Sequence, residues 1–308
     1  MTYAKLSGAL LARKEEPAAV SSLAQTISVP AAPPAPVQNI APAPLSGERA
    51  KLLAHHLRAL KLPMFLADYE RVARQCAAEG LDHTRFLLRL AELELVERGQ
   101  RTIERRIREA RFPALKDLDS FDFTAVPSLD KSIVLDLARC DYVTRSENII
   151  AIGNSGTGKT HLAIGLGLAA CHNGLSVCFT TAASLVRELV ETHDERRLLR
   201  LQRRLAAYQV LIIDELGYVP LPSAGAELLF EIISHRHERG STIITSNLPL
   251  GEWISVFGSA RMTEALLDRL SHHVHVLDMH GDSYRLKLAQ RQQAPGFAED
   301  EELTQRAG

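Results

Sequence analysis

Eight consecutive residues include the types that bind phosphate groups: three glycines, a lysine and two threonines. They run Gly153-Asn154-Ser155-Gly156-Thr157-Gly158-Lys159-Thr160 and fit the pattern G-x-x-x-x-G-K-[ST]. The glycines let backbone N–H groups curl around a phosphate, Lys159 can reach the β- and γ-phosphates, and the Thr160 hydroxyl can bind Mg²⁺. An apolar run at 148–152 precedes the loop and a helical pattern follows it. The sequence therefore predicts that the chain binds a nucleoside triphosphate.

Two acidic residues end another short apolar run. Asp214 and Glu215 follow residues 208–213, which have the composition of a buried strand. At the end of such a strand Asp214 could support Mg²⁺ through water, and Glu215 could polarise an attacking water. Two acids at a strand end are common by themselves, but a protein that only binds phosphate has no use for the second carboxylate. Together with the phosphate loop, the pair predicts hydrolysis of the nucleotide.

Strand-like apolar runs alternate with helical patterns in the second half of the chain. The runs are 147–152, 175–180, 208–214, 241–246 and 273–279. This alternation predicts an α/β fold with a parallel, doubly wound five-stranded sheet. Ligands bind at the carboxyl ends of such strands, so Asn247, directly after the fourth run, would face the γ-phosphate or the attacking water. A Ser-Asn pair before Leu-Pro is more often a turn, and only its place in the series makes Asn247 a candidate.

The composition changes several times along the chain. The high density of alanine and proline predicts a disordered tail over 1–46. Apolar residues at helical spacing then predict a small all-α domain over 47–112. Residues 113–146 form a predicted linker, anchored by Phe121 and Phe123, with a helix over 128–142. The predicted organisation is completed by an ATPase domain over 147–290 and a flexible tail over 291–308.

Length and composition limit the classes of protein to which the chain can belong. The 308 residues are 46% hydrophobic, which suffices for two domains with real cores, and the net charge of −1 implies no partner. Four cysteines without C-x-x-C spacing fit a reducing cytoplasm, where we expect the protein. No apolar run approaches the length of a membrane span, and residues 1–20 make a poor secretory signal.

The order of these signatures resembles a known group of proteins. The phosphate loop, Asp214-Glu215, the Thr-Ser-Asn strand end at 245–247, Asp-Arg-Leu at 268–270 and Ser-Tyr-Arg at 283–285 follow the order seen in AAA+ ATPases of the DnaA/DnaC initiator clade. The runs at 214–221 and 281–286 narrow the resemblance to the IstB-like proteins, ATP-binding helpers of IstA/IstB-type insertion sequences. The similarity covers about 47–290.

The resemblance implies a role for individual residues. It implies ATP and Mg²⁺ as ligands, held by residues 153–160, His161 and Asp214, with Thr160 and Asp214 at the metal. It further implies that Glu215 is the catalytic base, that Asn247 is sensor 1, that Arg269 is an arginine finger for a neighbouring subunit and that Arg285 is sensor 2. A surface or helix-end position is the alternative for both arginines. The chain departs from the family at Asn154-Ser155, where prolines are frequent, and at Ser259, where an acid is frequent.

Two arginine clusters stand out against the near-neutral chain. The candidate DNA contacts are Arg105 and Arg106 in the first cluster, and Arg196, Arg197, Arg200, Arg203 and Arg204 in the second. Helical spacing gives the second cluster a shared face, and phosphate contacts by arginine favour duplex DNA without sequence readout. The alternative is a solvated helix with acidic partners four residues away, such as Glu104, Glu109 and Glu195.

Three functions are compatible with the sequence. The leading hypothesis is an ATP-dependent, homo-oligomeric, DNA-binding regulator that assists the transposase encoded by the same element. A replicative helicase loader shares the same ATPase core, and a small-molecule P-loop kinase is the hypothesis from another class. A kinase needs neither arginine clusters nor a finger acting between subunits. The Phe112-Pro and Phe121-Asp-Phe123 junction favours the transposition helper over the loader.

Overall fold

The sheet predicted for the second half of the chain is present as five parallel strands. The computed structural model describes residues 47–192, 195–271, 273–281 and 283–284. The strands are β1 Asn148–Ile152, β2 Val177–Thr181, β3 Val210–Leu216, β4 Ser241–Ser246 and β5 Val274–Asp278, in the spatial order β2-β3-β4-β1-β5. The predicted α/β fold class, with a phosphate loop and a five-stranded parallel sheet flanked by helices, is confirmed.

Two of the strands are buried along their whole length because both faces of the sheet are covered. Every residue of β1 and of β4 is buried, which is the pattern expected of parallel strands with helices on both sides. Isoleucines lie opposite each other across these strands, as in the pairs Ile149 with Ile243 and Ile150 with Ile244. The register is therefore set by apolar side chains that can be accommodated only in the core.

The strand order decides which side chains meet at the carboxyl edge of the sheet. β4 lies between β1 and β3, so the strand that carries Asp214 is two positions away from the strand that precedes the phosphate loop. The register of β3 on β4 shifts between Ile213 and Leu216. Two residues of β3 there oppose one residue of β4, which is a β-bulge. This bulge contains Glu215.

The part of the chain that the structure describes contains eleven α-helices. They are α1 Gly47–Ala59, α2 Pro63–Ala78, α3 His83–Ala110, α4 Lys131–Leu137, α5 Asp141–Thr144, α6 Lys159–His172, α7 Ala182–Glu191, α8 Glu195–Ala206, α9 Ser223–Arg236, α10 Ile254–Phe257 and α11 Ala260–Ser271. Short 3₁₀ turns occur at Phe123–Ala125 and Leu250–Glu252.

The sheet separates two hydrophobic cores. One contains Leu166 of α6 and Ala110 at the end of α3. The other contains Leu185 of α7, Leu229 of α9 and Leu266 of α11. Both cores together hold the phosphate-loop helix α6 and the arginine-bearing helices α8 and α11 in fixed positions on the sheet.

The chain divides into two units after Leu53. Residues 47–53 of the first unit form the start of α1. In the second unit, α2 packs on α3 through Val72, Cys76 and Leu90. The separate domain over 47–112 stays a prediction. The predicted tails at 1–46 and 291–308 lie outside the described residues.

The predicted linker contains two short helices instead of one over 128–142. Cys140 adopts a left-handed conformation with φ of 66° between α4 and α5, which breaks the helix. The predicted anchors are confirmed: Phe121 is buried in the core, Phe123 packs against that core, and their ring centroids are 4.8 Å apart. The linker therefore lies on the ATPase core beside the phosphate loop.

Two further findings bear on the environment of the protein. Within the described ranges, no helix combines the length and apolar character needed to cross a membrane. All four cysteines are buried thiols. Burial raises the pKa of Cys140 to about 11 and that of Cys171 to about 12, so both thiols are protonated, and therefore weakly nucleophilic, at neutral pH.

Candidate functional site

The phosphate loop joins the carboxyl end of β1 to the amino end of α6. Gly156 and Gly158 have φ of 84° and 93°, in the left-handed region that glycine adopts without steric cost. A Cβ on Gly158 would lie 2.8 Å from the Phe121 ring, so the linker also leaves no space for a side chain there. The backbone N–H groups at the start of α6 can therefore close around a phosphate.

Lys159 is held inside the loop. Its side chain is buried, and its Nζ donates hydrogen bonds to the carbonyl oxygens of Gly153 and Asn154, both at 2.7 Å. Burial of an ammonium group is costly unless it is hydrogen-bonded. The loop's own carbonyls therefore keep the cation at the position where phosphate oxygens would replace them as partners.

A network of hydroxyl and carboxylate groups links the phosphate loop to the two neighbouring strand ends. The Thr160 hydroxyl donates to the Asp214 carboxylate at 3.0 and 3.1 Å. The Thr245 hydroxyl on β4 also donates to Asp214, and it accepts the N–H of Glu215 at 2.9 Å. Asp214 and Thr245 are both almost fully buried. One threonine thus fixes both members of the predicted acidic pair.

Thr245 is not among the functional residues predicted from the sequence. A signal was available, because alternate residues of a strand face the same side and Thr245 is two residues before the candidate Asn247. Its role depends, however, on the fact that β4 lies beside β3. Strand order cannot be read from a single run of residues.

The bulge turns Glu215 toward the cleft. Its φ is 61°, a left-handed conformation that costs about 1 kcal/mol or more for a residue other than glycine. The hydrogen bond from its N–H to Thr245 holds this conformation. The Glu215 side chain is exposed and lines the cleft beside Thr160. A carboxylate aimed there can accept a proton from a water molecule next to a bound phosphate.

Asn247 follows β4 and lies against Gly217. Its amide oxygen is buried and has no hydrogen-bond partner among the described residues. A Cβ added to Gly217 would lie 3.4 Å from that oxygen. Because buried amides are nearly always paired, this oxygen is available to accept a further hydrogen bond. Asn247 follows the strand that carries Thr245 but is not among the residues that line the cleft, so its role next to the reacting phosphate stays a prediction.

The cleft above the phosphate loop has walls from distant parts of the chain. His161 Nε2–H donates to the carbonyl oxygen of Asp117 at 2.8 Å, and its ring meets the Phe121 ring with centroids 5.2 Å apart. On another side, the Tyr284 N–H donates to the Gly156 carbonyl at 3.0 Å. The lining includes Lys116, Phe121, Ala125, Val126, Gly156, Thr157, Gly158, Lys159, Thr160, His161, Glu215, Tyr218, Thr245 and Tyr284. The linker and the segment after β5 thus complete the cleft.

Arg269, one of the two arginines predicted to act on the nucleotide, does not line this cleft. Arg269 is half-buried on α11, where its Nη1 donates to the Ser234 hydroxyl at 2.8 Å and its guanidinium lies 4.7 Å from the Phe230 ring centroid. It lines a different cavity, together with Asn148 at the start of β1. Arg285 lies outside the described residues. Because Arg269 does not line the cleft of its own copy, its predicted action on the nucleotide of a neighbouring subunit stays a prediction.

The second arginine cluster forms the exposed face of α8. Its five arginines are exposed, whereas Leu201 and Leu205 are buried against the core. Arg204 pairs with Glu188 of α7 at 2.7 Å, and Arg200 Nε donates to the Arg196 carbonyl. This face holds more positive than negative charge, as contact with a polyanion requires.

The first cluster on α3 is more evenly balanced. Arg105 and Arg106 lie 4.0 and 3.6 Å from the Glu109 carboxylate. Arg98 and Arg101 pair with acids one turn before them, Glu94 and Glu97. Such acidic partners are typical of a solvated helix, which is the alternative to DNA contact. DNA contact by α3 stays a prediction with less support than contact by α8.

The network predicts a specific role for Thr245. Thr245→Val keeps the side-chain shape but removes the donor to Asp214 and the acceptor for the Glu215 N–H, so we expect a loss of about 1–3 kcal/mol of stability and at least a tenfold fall in nucleotide turnover. Thr242→Val is the matched control, since Thr242 is equally buried on the other face of β4 and accepts from Arg236. Calorimetry and phosphate release should show both variants destabilised but only Thr245→Val slow per folded molecule. Equal turnover in the two variants would contradict the role.

Comparison with known proteins agrees with this geometry. The family of IstB-like ATP binding proteins matches residues 55–294. A Pseudomonas aeruginosa protein named as an ATP-binding protein of insertion sequence IS21 is 40% identical over 231 residues, 75% of this chain and 87% of the relative. A Sinorhizobium fredii insertion sequence ATP-binding protein is 42% identical over 234 residues, 76% of this chain and 78% of the relative.

Among solved structures, the DnaC helicase loader is similar over 48% of this chain and 86% of its own, with 23% identity and a TM-score of 0.41. That likeness is too distant to carry a functional argument. The family match covers most of the chain and includes the complete phosphate loop. The chain therefore belongs to the IstB-like family of ATP-binding proteins of insertion sequences.

Proposed function

We propose that the protein is a Mg²⁺-dependent ATPase that assembles with further copies of itself on duplex DNA and assists the transposase of its own insertion sequence. The observation that carries the catalytic part is the network from Thr160 through Asp214 and Thr245 to Glu215. A protein that only retained ATP would not need a strained, exposed carboxylate beside the phosphate loop.

The donor set beside the phosphate loop fits Mg²⁺. Thr160 and Asp214 present a hydroxyl and a carboxylate within 3.1 Å of each other, and Mg²⁺ prefers such oxygen ligands together with phosphate oxygens and water. When bound, the ion would neutralise charge on the β- and γ-phosphates. Lys159 would donate to the same phosphates, and the N–H groups at the start of α6 would orient them.

Glu215 supplies the chemistry of the attacking water in this proposal. Its carboxylate accepts a proton from water as that water approaches the γ-phosphate. The buried oxygen of the Asn247 amide can accept a hydrogen bond from the same water. The NH₂ group of that amide can instead donate to a phosphate oxygen. Both residues lie at the carboxyl edge of the sheet, so water and phosphate would be aligned by rigid strand ends.

Arg269 is proposed to act on the nucleotide of a second copy. Within the described residues it pairs with a hydroxyl and an aromatic ring but with no carboxylate, so its positive charge is not neutralised. A guanidinium of this kind stabilises charge on the γ-phosphate in the transition state. Assembly of copies would therefore complete each active site.

Assistance to a transposase is supported by the relatives. Their names place them in insertion sequences. The reading frame next to this gene tests this part directly: a transposase there supports the proposal, whereas a replication gene would favour a helicase loader. In the cytoplasm, the element's DNA and its transposase would both be accessible to the ATPase.

The first prediction on function separates binding from hydrolysis. Glu215→Gln should retain ATP affinity and lose at least 100-fold in turnover, because only the proton acceptor is removed. Lys159→Ala should weaken ATP binding itself. Glu227→Gln, an exposed acid on α9, is the control and should behave as wild type. Fluorescent-nucleotide titration and phosphate release measure both quantities, and undiminished turnover in Glu215→Gln would remove the assignment of the base.

The second prediction concerns assembly. Arg269→Ala should bind ATP normally and hydrolyse it at least tenfold more slowly, since the cation is missing from the transition state of the neighbouring site. Mixing this variant with Glu215→Gln should restore part of the activity, because some interfaces then combine an intact base with an intact arginine. Titrating one variant into the other gives the measurement. Additive, unrescued rates at every ratio would mean that Arg269 does not act between copies.

The third prediction concerns DNA. Duplex affinity should rise with a non-hydrolysable ATP analogue, since assembly multiplies the arginine face of α8. The double change Arg200→Ala with Arg204→Ala should weaken all duplex sequences equally and reduce the slope of log affinity against log salt by about 2 per copy. The control removes the same charge from α2, with Arg71→Ala and Arg74→Ala, and should keep the wild-type duplex affinity and salt slope. A wild-type slope in the α8 variant would show that this face is merely solvated.

A further inference from the structure

A second polar cavity lies at the amino-terminal edge of the sheet. Its volume is about 340 Å³, within the range of small-ligand sites. Asn148, the first residue of β1, lines this cavity, whereas Gly153 at the other end of β1 begins the phosphate loop. At about 3.3 Å per residue, roughly 16 Å of strand separates the two. A nucleotide in the phosphate loop of the same copy therefore cannot reach this cavity.

Two arginines line the cavity, and each has hydrogen-bond donors that its partners among the described residues do not use. Arg145 uses its Nε for Glu147 at 2.8 Å, and Arg269 uses its Nη1 for Ser234. Over the described part of the chain, the terminal amino groups of Arg145 and the Nε and Nη2 of Arg269 have no hydrogen-bond partner. The planar fork of a guanidinium matches the oxygens of a phosphate group.

The Arg269 side chain is oriented before any ligand arrives. Phe230 packs against one face of its guanidinium, and His237 Nδ1–H donates to its backbone carbonyl at 3.0 Å. The carbonyl oxygen can only accept, so the proton of this bond is on Nδ1 of His237. All these groups belong to α9 or follow it directly, and they hold the arginine without a carboxylate that would cancel its charge.

Two carboxylates balance only part of the positive charge around the cavity. Burial raises the pKa of Glu147, but hydrogen bonds from His275 and Arg145 outweigh this effect and lower the pKa overall, so Glu147 is ionised and offsets Arg145. Glu238 is 71% exposed in its side chain and 3.7 Å from His237, so its charge is largely screened by solvent. The charge of Arg269 is left to attract an anion.

The phosphate-loop cleft and this cavity differ in the arginines that line them. Lys159 supplies a cation there, but no arginine lines that cleft among the described residues. Negative charge spreads over the γ-phosphate oxygens in the transition state and is stabilised by guanidinium groups. The cleft of one copy and the cavity of another are therefore chemically complementary.

We propose that this cavity receives the terminal phosphate of the nucleotide bound by a second copy of the chain, and that Arg145 contacts this phosphate beside Arg269. The inference rests on the proposed function, because it adds a second cation to the interface in which Arg269 acts. A recess that contains a half-buried arginine suits the single phosphate at the end of a nucleotide. The regularly spaced phosphates of a duplex match an exposed helix face such as that of α8 instead.

The experiment uses the full chain with a change that preserves local structure. Arg145→Gln can keep a hydrogen bond to Glu147 but loses the charge. We expect ATP affinity to stay unchanged, turnover to fall tenfold or more, and mixtures with Glu215→Gln to recover part of the rate. Arg145→Lys should retain more activity than Arg145→Gln. Arg139→Ala is the matched control, because Arg139 is an exposed arginine with an acidic partner, Asp136, and does not line the cavity.

Each other outcome has a distinct meaning. Turnover in Arg145→Gln equal to that of the control, with Arg269→Ala impaired, would overturn this inference and leave the proposed function intact. A slow Arg145→Gln variant that no mixture rescues would show that Arg145 acts within its own copy, which also overturns it. Weaker duplex binding without nucleotide, at normal turnover, would assign the cavity to a DNA phosphate. Normal turnover in Arg269→Ala would instead contradict action between copies in the proposed function itself.

Discussion

The buried carboxylate of Asp214 is the constraint on which the site depends. A carboxylate that is only 3% exposed must be hydrogen-bonded or metal-bound, because an unpartnered buried charge costs several kcal/mol. Its donors are Thr160 on α6 and Thr245 on β4, so the phosphate-loop helix and two strands meet at one group. Thr245 also holds the strained backbone of Glu215. The position of Glu215, the predicted base, therefore follows from the hydrogen bonds that the neighbouring Asp214 carboxylate requires.

A second buried charge connects the ATPase core to the arginine-rich helix. Arg236 at the end of α9 is 2% exposed and donates to the carbonyls of Leu205, Tyr208 and Ser241 at 2.7 to 2.8 Å. Burial lowers its pKa to about 10, so it remains charged at neutral pH. These bonds fix the end of α8 to the starts of β3 and β4. Because α9 also orients Arg269, one helix supports both the arginine-rich helix α8 and the half-buried arginine of α11.

Much of the fold and the central part of the site could be predicted from local sequence. The strand runs were located because parallel strands buried on both faces are continuously apolar. The phosphate loop and the pair Asp214-Glu215 were identifiable because their chemistry depends on residues that are adjacent in the chain. A helix predicted over 128–142 was wrong, since Cys140 adopts a left-handed conformation that periodicity does not reveal. Thr245 was missed, because it acts through Asp214 and Glu215, which are about 30 residues away in sequence.

By itself, the sequence determined the chemistry that one turn or one strand end can carry: phosphate binding at 153–160 and an acidic pair at the end of β3. The tertiary structure decided which other groups meet this chemistry. Only the strand order, with β4 between β1 and β3, brings Thr245 to Asp214, and only the packing of α11 on α9 places Arg269 away from its own nucleotide cleft. The physical reason is that contacts between distant segments depend on how apolar faces are buried together, which no local pattern encodes.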